Sequence, residues 1–140
     1  MHTRFVVHEH NAKKAGLHHD LRIEIDGVLQ SFVVPKLVSD TERRLAIKVD
    51  DHALSYFDFQ GTIPEGSYGA GTVKIYDTGE CKVVLNKGSY FIEFFGLRLT
   101  HTWVLRLFDA NNRKYLLIKQ SEKEYVAYKK NMVRKGSYID

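Results

Sequence analysis

The chain has a single cysteine, Cys81, and this scarcity excludes an internal disulfide bond. Small secreted domains usually depend on disulfide bonds, whereas cytosolic proteins keep their thiols reduced. The amino terminus, from Met1 to Phe5, shows no apolar core of a signal peptide. We therefore expect a reducing, cytoplasmic setting for this protein.

Long apolar stretches are also missing. No run approaches the roughly 18 apolar residues that a membrane-spanning helix needs, so we expect no membrane partner. The chain has 140 residues, of which 44% are hydrophobic and 27% charged, and this is enough to bury a core. Because we find no repeat and no linker, we expect residues 1–140 to form one domain.

Prolines are rare as well, and short runs rich in Val, Ile, Tyr and Phe alternate with turn signals. Asp26-Gly27 is a strong hairpin signal, and 77–79, 86–88 and 109–112 are similar turn signals. The pattern predicts an antiparallel, mainly β fold: a single-domain β-barrel with one or two short helices, at 41–44 and 121–128. The predicted strands are 4–10, 18–25, 28–34, 46–49, 71–76, 81–86, 90–95, 102–107 and 115–119.

Histidine, by contrast, is concentrated near the amino terminus, where six of the seven fall within the first 52 residues. On a strand over 18–26, side chains alternate between two faces. One face is mostly apolar, and the other carries His18, Asp20 and Arg22, followed by Glu24 and Asp26. Imidazole and carboxylate together are ligands for transition metals, and a guanidinium binds phosphate. This row predicts metal-assisted chemistry on a phosphate.

A second predicted strand contributes further imidazoles. His8 and His10 share one of its faces, and the short connection 11–17 returns the chain beside the strand 18–25. We therefore expect His10, His18 and Asp20 to converge on one ion. Histidine ligands favour Mn²⁺, Zn²⁺ or Fe²⁺ over Mg²⁺. On spacing alone, packed or surface histidines are the alternative.

Two loops add candidate groups. His52 follows the strand 46–49, and an imidazole there can act as an acid, a base or a hydrogen-bond donor to phosphate. The loop 61–71 contains four glycines but lacks the Gly-Lys-Ser/Thr ending of a P-loop. It either shapes the wall of a pocket or completes a corner of the barrel, and we favour the second, structural interpretation.

Together these segments resemble the 3′-phosphoesterase domain of bacterial DNA ligase D and its stand-alone archaeal and bacterial relatives. The match covers nearly the whole chain in the same order, ending with Trp103 and Leu116-Leu117-Ile118-Lys119. The motifs that carry it are Phe5-Val6-Val7-x-x-His10, Leu17-His18-His19-Asp20-Leu21-Arg22-Ile23-Glu24, Gly27-Val28-Leu29-x-Ser31-Phe32-x-Val34-Pro35-Lys36, Arg44-Leu45-Ala46-Ile47-x-Val49-x-Asp51-His52-x-Leu54-x-Tyr56-x-x-Phe59-x-Gly61 and Ile63-Pro64-Glu65-Gly66-x-Tyr68-Gly69-Ala70-Gly71.

The resemblance implies a β-barrel with a Mn²⁺-dependent activity that removes a 3′-terminal ribonucleoside and then the remaining 3′-phosphate, leaving a 3′-OH. Co²⁺, Cd²⁺ and Zn²⁺ also suit such a site. The implied partners are DNA or RNA/DNA primer-template 3′ ends and a separate DNA ligase, polymerase or Ku-type repair protein. The implied site consists of the metal ligands His10, His18 and Asp20, of Arg22, His52 and Tyr56 at the scissile phosphate, and of Lys36 and Arg44 as further basic residues that bind the nucleic acid.

The sequence departs from the family pattern in three places. His8 stands where relatives more often carry an amide, and it is a candidate fourth ligand or a hydrogen-bonding partner behind the ligands. The connection containing Lys13-Lys14-Ala15-Gly16 is longer than in ligase-linked members. Those members also carry an N-terminal arm that assists the ribonuclease step. Because the sequence begins only a few residues before its first predicted strand, we expect the phosphatase step more than the ribonuclease step. We further expect either a stand-alone enzyme or an excised domain.

Other interpretations use the same residues differently. Two histidines and a carboxylate also fit a non-haem Fe(II) oxygenase, although the chain is short for a co-substrate pocket. A non-catalytic DNA-end-binding repair module would not require His10, His18 and Asp20 to converge. Residues 113–140 hold eight basic and three acidic residues, a net charge of +5 against −1 for the rest. This segment is either a contact for a phosphate backbone or a solvated terminus.

Overall fold

The computed structural model describes residues 1–134, and they form a closed antiparallel barrel with one α-helix. The strands are β1 (His2–Ala12), β2 (Gly16–Ile25), β3 (Val28–Val34), β4 (Arg44–His52), β5 (Gly61–Ile63), β6 (Gly71–Asn86), β7 (Ser89–Phe95), β8 (Thr100–Asp109) and β9 (Lys114–Lys119). A 3₁₀ turn covers Leu54–Tyr56, and the helix α1 covers Glu122–Arg134. The predicted mainly β barrel is confirmed.

Eight strands close the barrel in the order β1-β2-β3-β4-β9-β8-β7-β6, and β6 pairs back onto β1. The short β5 pairs with the start of β6. Closure leaves few free backbone groups at sheet edges. The core inside the barrel is apolar and includes Phe5, Leu21, Phe32, Phe94 and Trp103, all fully or almost fully buried. This core fixes which face of β1 and β2 points away from it.

Two hairpin turns have the geometry that their residues predict. Asp26 and Gly27 have φ values of 53° and 80°, and Lys87 and Gly88 have 52° and 83°. Two successive positive φ values define the type I′ turn, which joins antiparallel strands most tightly. The first turn pairs Ile25 with Val28 and thereby sets the register of β2 against β3.

The predicted turn at 77–79 is wrong, because β6 runs unbroken through it. Asp77 accepts hydrogen bonds from the backbone N–H groups of Leu97, Arg98 and Leu99 at 2.7–3.0 Å, instead of capping a turn of its own. A Cβ at Gly79 would lie 2.6 Å from the Phe95 carbonyl oxygen. The glycine therefore permits a close approach of strands rather than a turn.

The two helix predictions have different outcomes. The predicted turn of helix at 41–44 is wrong: Ser39 Oγ accepts the N–H groups of Thr41 and Glu42 in a bend, and β4 begins at Arg44. The helix predicted at 121–128 is present and longer. Ser121 and Glu124 form a reciprocal capping box at its start. Residues 135–140, the end of the basic segment 113–140, lie outside the described residues. In residues 1–134 no helix has the length and apolarity to cross a membrane.

Candidate metal centre and phosphate site

Three side chains on adjacent strands converge as the sequence predicts. The β1–β2 register places His10 directly opposite His18, and Asp20 follows two residues later on the same face. His10 Nδ1 lies 3.5 Å from Asp20 Oδ2, and His18 Nε2 lies 3.4 Å from Asp20 Oδ1. All three residues are buried, and one potential ligand atom from each lies within 4.8 Å of the others. The arrangement can hold one metal ion.

Backbone carbonyls orient both imidazoles. His10 Nε2 lies 2.7 Å from the Gly69 carbonyl oxygen, and His18 Nδ1 lies 3.1 Å from that of Gly16. Each of these nitrogens donates its hydrogen to the carbonyl, so the opposite ring nitrogen faces Asp20. That nitrogen carries a hydrogen for Asp20 when the imidazole is protonated and a lone pair for a metal ion when the imidazole is neutral. Histidines that bind metals usually have such a partner behind them, which fixes the tautomer and the ring orientation.

The charges in this cluster favour an ionised carboxylate. Burial alone would raise the pKa of Asp20, but the hydrogen bond with His18 and the charge of Arg22 outweigh it and lower this pKa. The same hydrogen bond to Asp20 raises the pKa of His18 above its ordinary value, against the effect of burial. A carboxylate that stays charged is the form that a metal ion requires.

Arg22 lies next to the three side chains and is itself buried and held on several sides. Its Nε donates to His8 Nδ1 at 3.0 Å, and its Nη1 donates to Ser31 Oγ at 2.8 Å. Nη1 also lies 3.2 Å from His52 Nδ1, and Nη2 lies 3.5 Å from Asp20 Oδ2. A guanidinium fixed in this way presents its remaining N–H groups in one direction.

His8 lies behind Arg22 rather than among the three potential ligands. Its Nδ1 accepts from Arg22, and its Nε2 donates to the Phe57 carbonyl oxygen at 3.2 Å. Burial, together with the charge of Arg22, lowers the pKa of His8 to about 4, so the imidazole is neutral at pH 7. The geometry favours the hydrogen-bonding alternative for His8 over the fourth-ligand alternative.

His52 and Tyr56 form the next wall of the site. His52 ends β4, and its ring centroid lies 5.1 Å from that of Tyr56 on the 3₁₀ turn. The Tyr56 ring stacks on Phe59 at 4.9 Å, and Arg22 Cζ lies 5.0 Å from the centre of the Tyr56 ring. Burial and then the Arg22 charge lower the pKa of His52, while burial raises the pKa of Tyr56. Both groups are therefore neutral near pH 7.

One cavity of about 660 Å³ opens onto the three potential ligands and onto Arg22, His52 and Tyr56. It is lined by the six predicted residues His10, His18, Asp20, Arg22, His52 and Tyr56. The glycine-rich loop, interpreted from sequence as structural, also lines it through residues 65–70. A Cβ at Gly69 would lie 3.3 Å from the His10 ring, and one at Gly71 would lie 2.1 Å from the Asn11 carbonyl oxygen. The glycines allow this loop to reach His10.

Besides His8, two predicted residues do not reach the cavity. Lys36 is exposed beyond β3 and is absent from the cavity wall. Arg44 donates from Nε to the Leu37 carbonyl oxygen at 2.9 Å and pairs through Nη1 with Glu42 at 2.8 Å. Their role in binding nucleic acid stays a prediction.

Ser31 is a site residue that the sequence analysis misses. It is fully buried on β3 and pairs with Arg22 in the strand register. The Asp26-Gly27 turn contains enough information to find it, because pairing Ile25 with Val28 places residue 31 opposite residue 22. The Gly69 carbonyl has no comparable signal in the sequence.

Comparisons with known proteins point to one family. The model of the family described as DNA Ligase D 3′-phosphoesterase domain matches residues 8–106. That stretch contains every residue of the cavity that the sequence analysis predicts, as well as Lys36 and Arg44.

Three similar proteins are multifunctional non-homologous end joining proteins LigD. The one from Mycolicibacterium smegmatis is 51% identical over 78 residues, covering 54% of this chain and 10% of the relative. The one from Pseudomonas aeruginosa is 40% identical over 110 residues, covering 73% of this chain and 13% of the relative. The Mycobacterium tuberculosis protein is 49% identical over 77 residues, covering 54% and 10%. The matched stretch is thus a small part of each relative. Because the family model covers well over half of the chain, this chain belongs to the DNA ligase D 3′-phosphoesterase domain family.

Proposed function

We propose that this chain is a Mn²⁺-dependent phosphoesterase that processes the 3′ ends of DNA primer-templates. It removes a 3′-phosphate and, as a second reaction, a 3′-terminal ribonucleoside, and it leaves a 3′-OH for repair and ligation. The observation that carries the proposal is the convergence of two imidazoles, a carboxylate and a guanidinium in one cavity. We further propose that residues 1–140 act as one such domain, on ends that a separate ligase, polymerase or Ku-type protein also handles.

The donor set fits the implied ion. Two imidazole nitrogens and a carboxylate oxygen suit Mn²⁺, Co²⁺, Zn²⁺ or Cd²⁺ better than Mg²⁺. We assign His10 Nδ1, His18 Nε2 and one oxygen of Asp20 as ligands, since these atoms face one another. When bound, such an ion neutralises charge on a phosphate oxygen and lowers the pKa of a coordinated water.

Arg22 is the proposed phosphate-binding residue. Its Nε and Nη1 are engaged by His8, Ser31 and His52. At least one Nη2 hydrogen remains for a phosphate oxygen, and the position of the guanidinium is already fixed before substrate arrives. Charge that develops on the equatorial oxygens therefore meets a preorganised donor.

His52 is the proposed hydrogen-bond donor to the phosphate or to the leaving 3′ oxygen. Its pKa is lowered by burial and by Arg22, so it is neutral at pH 7. His52 Nδ1 lies 3.2 Å from Arg22 Nη1, which only donates, and 3.3 Å from the Asp50 carbonyl oxygen, which only accepts. When Nδ1 accepts from Arg22, the ring hydrogen lies on Nε2. Tyr56 packs against both Arg22 and His52 and holds the two in place. Lys36 and Arg44, outside the cavity wall, would contact nucleic acid beyond the scissile group.

The test uses two 5′-labelled primer-templates, one ending in a 3′-phosphate and one in a single ribonucleotide. Metal-free protein is incubated with each, with and without Mn²⁺, beside Asp20→Asn and the matched variant Asp26→Asn. Asp26 lies just beyond the end of β2 and is exposed in a turn with φ of 53°, which asparagine tolerates. We expect Mn²⁺-dependent formation of a 3′-OH that Asp20→Asn abolishes and Asp26→Asn preserves.

The other outcomes are equally decisive. Full activity of Asp20→Asn would overturn the ligand assignment. Conversion of the 3′-phosphate alone would restrict the protein to the phosphatase step. Tight binding of the duplex end without conversion of either substrate would favour a non-catalytic DNA-end-binding repair module.

A further inference from the structure

The most exposed aromatic side chain of the described residues stands at the edge of the cavity. Tyr68 has a relative exposure of 100%, yet it lines the cavity that contains Asp20 and Arg22. An aromatic ring left wholly in water loses the burial that usually stabilises it. Its position on a wall of the proposed site points to a ligand that covers the ring.

The loop that carries Tyr68 is fastened to the barrel. The Ala70 carbonyl accepts from Lys13 N–H at 2.9 Å, and the Gly69 carbonyl accepts from His10 Nε2 at 2.7 Å. Lys13 also pairs with Glu65, which joins the loop to the β1–β2 turn. The ring therefore stands on a positioned backbone one residue away from the carbonyl that orients His10.

The chemistry of the substrate places a flat group near this ring. If Arg22 and the metal ligands hold a 3′-phosphate, the attached sugar and base must extend towards the cavity mouth. Every nucleobase has an aromatic face, and stacking on a tyrosine is strong and tolerant of sequence. Tyr56, the other tyrosine on the cavity wall, is already packed against Phe59, His52 and Arg22, whereas the Tyr68 ring is wholly exposed.

We infer that Tyr68 binds the base of the 3′-terminal nucleotide by stacking and thereby makes the enzyme prefer nucleotide ends over other phosphate esters. This inference rests on the proposed function and adds the residue that recognises the terminal base. Tyr68 contributes to substrate binding, while the reacting phosphate is handled by the buried residues. The preference extends to all four bases.

The experiment uses the full chain with Mn²⁺ and two primer-templates that carry a 3′-phosphate. One ends in an ordinary nucleotide, and the other ends in a reduced abasic sugar of the same length. Steady-state kcat and KM are measured for wild type, Tyr68→Ala, Tyr68→Phe and the control Phe108→Ala. Phe108 is also exposed, at 54%, but does not line the cavity.

We expect Tyr68→Ala to raise KM for the nucleotide end about 5- to 150-fold, the range for losing one stacked base. Its kcat should be nearly unchanged, and the abasic substrate should show no added loss. Tyr68→Phe and Phe108→Ala should behave like wild type with both substrates. Equal losses on both substrates, or no loss on either, would overturn the inference. A lower kcat together with weaker Mn²⁺ binding would also overturn it, because the loop would then act only through His10.

Failure of the proposed function can be distinguished from failure of the stacking inference. If wild type converts neither substrate, fluorescence anisotropy measures the Kd for the same two ends. A Tyr68→Ala effect confined to the base-bearing end would still support stacking. If the ratio of the Kd for the abasic end to the Kd for the base-bearing end is the same in wild type and Tyr68→Ala, stacking is rejected.

Discussion

Two groups of buried polar side chains in this barrel are satisfied to very different degrees. In and behind the cavity, Arg22 has partners on four different side chains, and His8 bonds both to Arg22 and to a backbone carbonyl. His10 and His18 contact Asp20 on one side of the ring and a backbone carbonyl on the other. Beneath α1, Glu93 has one partner, the Tyr125 hydroxyl at 2.6 Å. Among residues 1–134, Glu93 Oε1, Thr102 Oγ1 and Gln120 Oε1 are buried without any.

The difference shows what each cluster can do. A fully connected polar network holds its members in one geometry, whereas a partly connected one costs stability without specifying a position. The cavity network is therefore suited to orienting groups for chemistry. The cluster beneath α1 only attaches the helix to the outer face of β7 and β8. Substitutions in the two clusters should consequently change the free energy of unfolding by different amounts.

The largest effect is expected for Arg22→Met. This change removes a buried charge and leaves Asp20, His8 and Ser31 without their shared partner, so the free energy of unfolding should fall by about 3–5 kcal/mol. Arg22→Lys keeps the charge and should lose less stability, but it lacks the planar fork. Urea denaturation of both variants, without metal, measures the difference. Equal stability of Arg22→Met and wild type would show that the network is not structural.

The next effect is a dependence of stability on pH that comes from His8. Its pKa is about 4 in the folded protein against an ordinary 6.5, so below pH 6.5 the unfolded chain takes up a proton that the folded chain does not. The stabilisation is complete above pH 6.5 and is lost as the pH falls towards 4, by about 3 kcal/mol.

His8→Gln removes this titration and keeps a donor and an acceptor for Phe57 and Arg22. Unfolding of metal-free wild type and variant is compared at several pH values between 4 and 7. The wild-type curve should fall more steeply on acidification. Parallel curves would contradict the lowered pKa of His8.

The sequence predicts the cavity well because its geometry follows from local pairing. A two-residue turn at Asp26-Gly27 fixes the β2–β3 register, and strand alternation places His18, Asp20 and Arg22 on one face. Family motifs add His52 and Tyr56, which arrive from a different part of the chain.

What the sequence does not predict depends on distant partners. Asp77 and Gly79 have the composition of a turn, but their contacts are with residues 95–99, on the neighbouring strand and its following loop. Arg44 has the side-chain type of a phosphate-binding residue, but its guanidinium donates hydrogen bonds to the Leu37 carbonyl and to Glu42. Neither contact can be inferred from spacing, since each depends on how the barrel closes.

A smaller effect is the dependence of Mn²⁺ affinity on pH. The hydrogen bond to Asp20 raises the pKa of His18 above 6.5, and a ligating imidazole must lose its proton. The affinity for Mn²⁺ should therefore rise with pH until that pKa is passed, by about tenfold per pH unit below it. Titration calorimetry at pH 6.5 in two buffers of different ionisation enthalpy counts the protons released. Release of no proton would mean that His18 is not a ligand.

The smallest effect is expected beneath α1, where the same acid-to-amide change should cost less stability than in the cavity. Asp20→Asn weakens contacts with His18 and Arg22 and should destabilise the metal-free protein by about 1–3 kcal/mol. Glu93→Gln removes a charge that has one hydrogen bond and leaves Oε1 unpaired. An amide is cheaper to bury, and it adds a donor near Thr102, the cross-strand neighbour of Glu93. Its free energy of unfolding should therefore stay within about 1 kcal/mol of wild type or exceed it. Urea denaturation of the two variants side by side measures this contrast, and a loss at Glu93 as large as that at Asp20 would mean that both clusters are equally well connected.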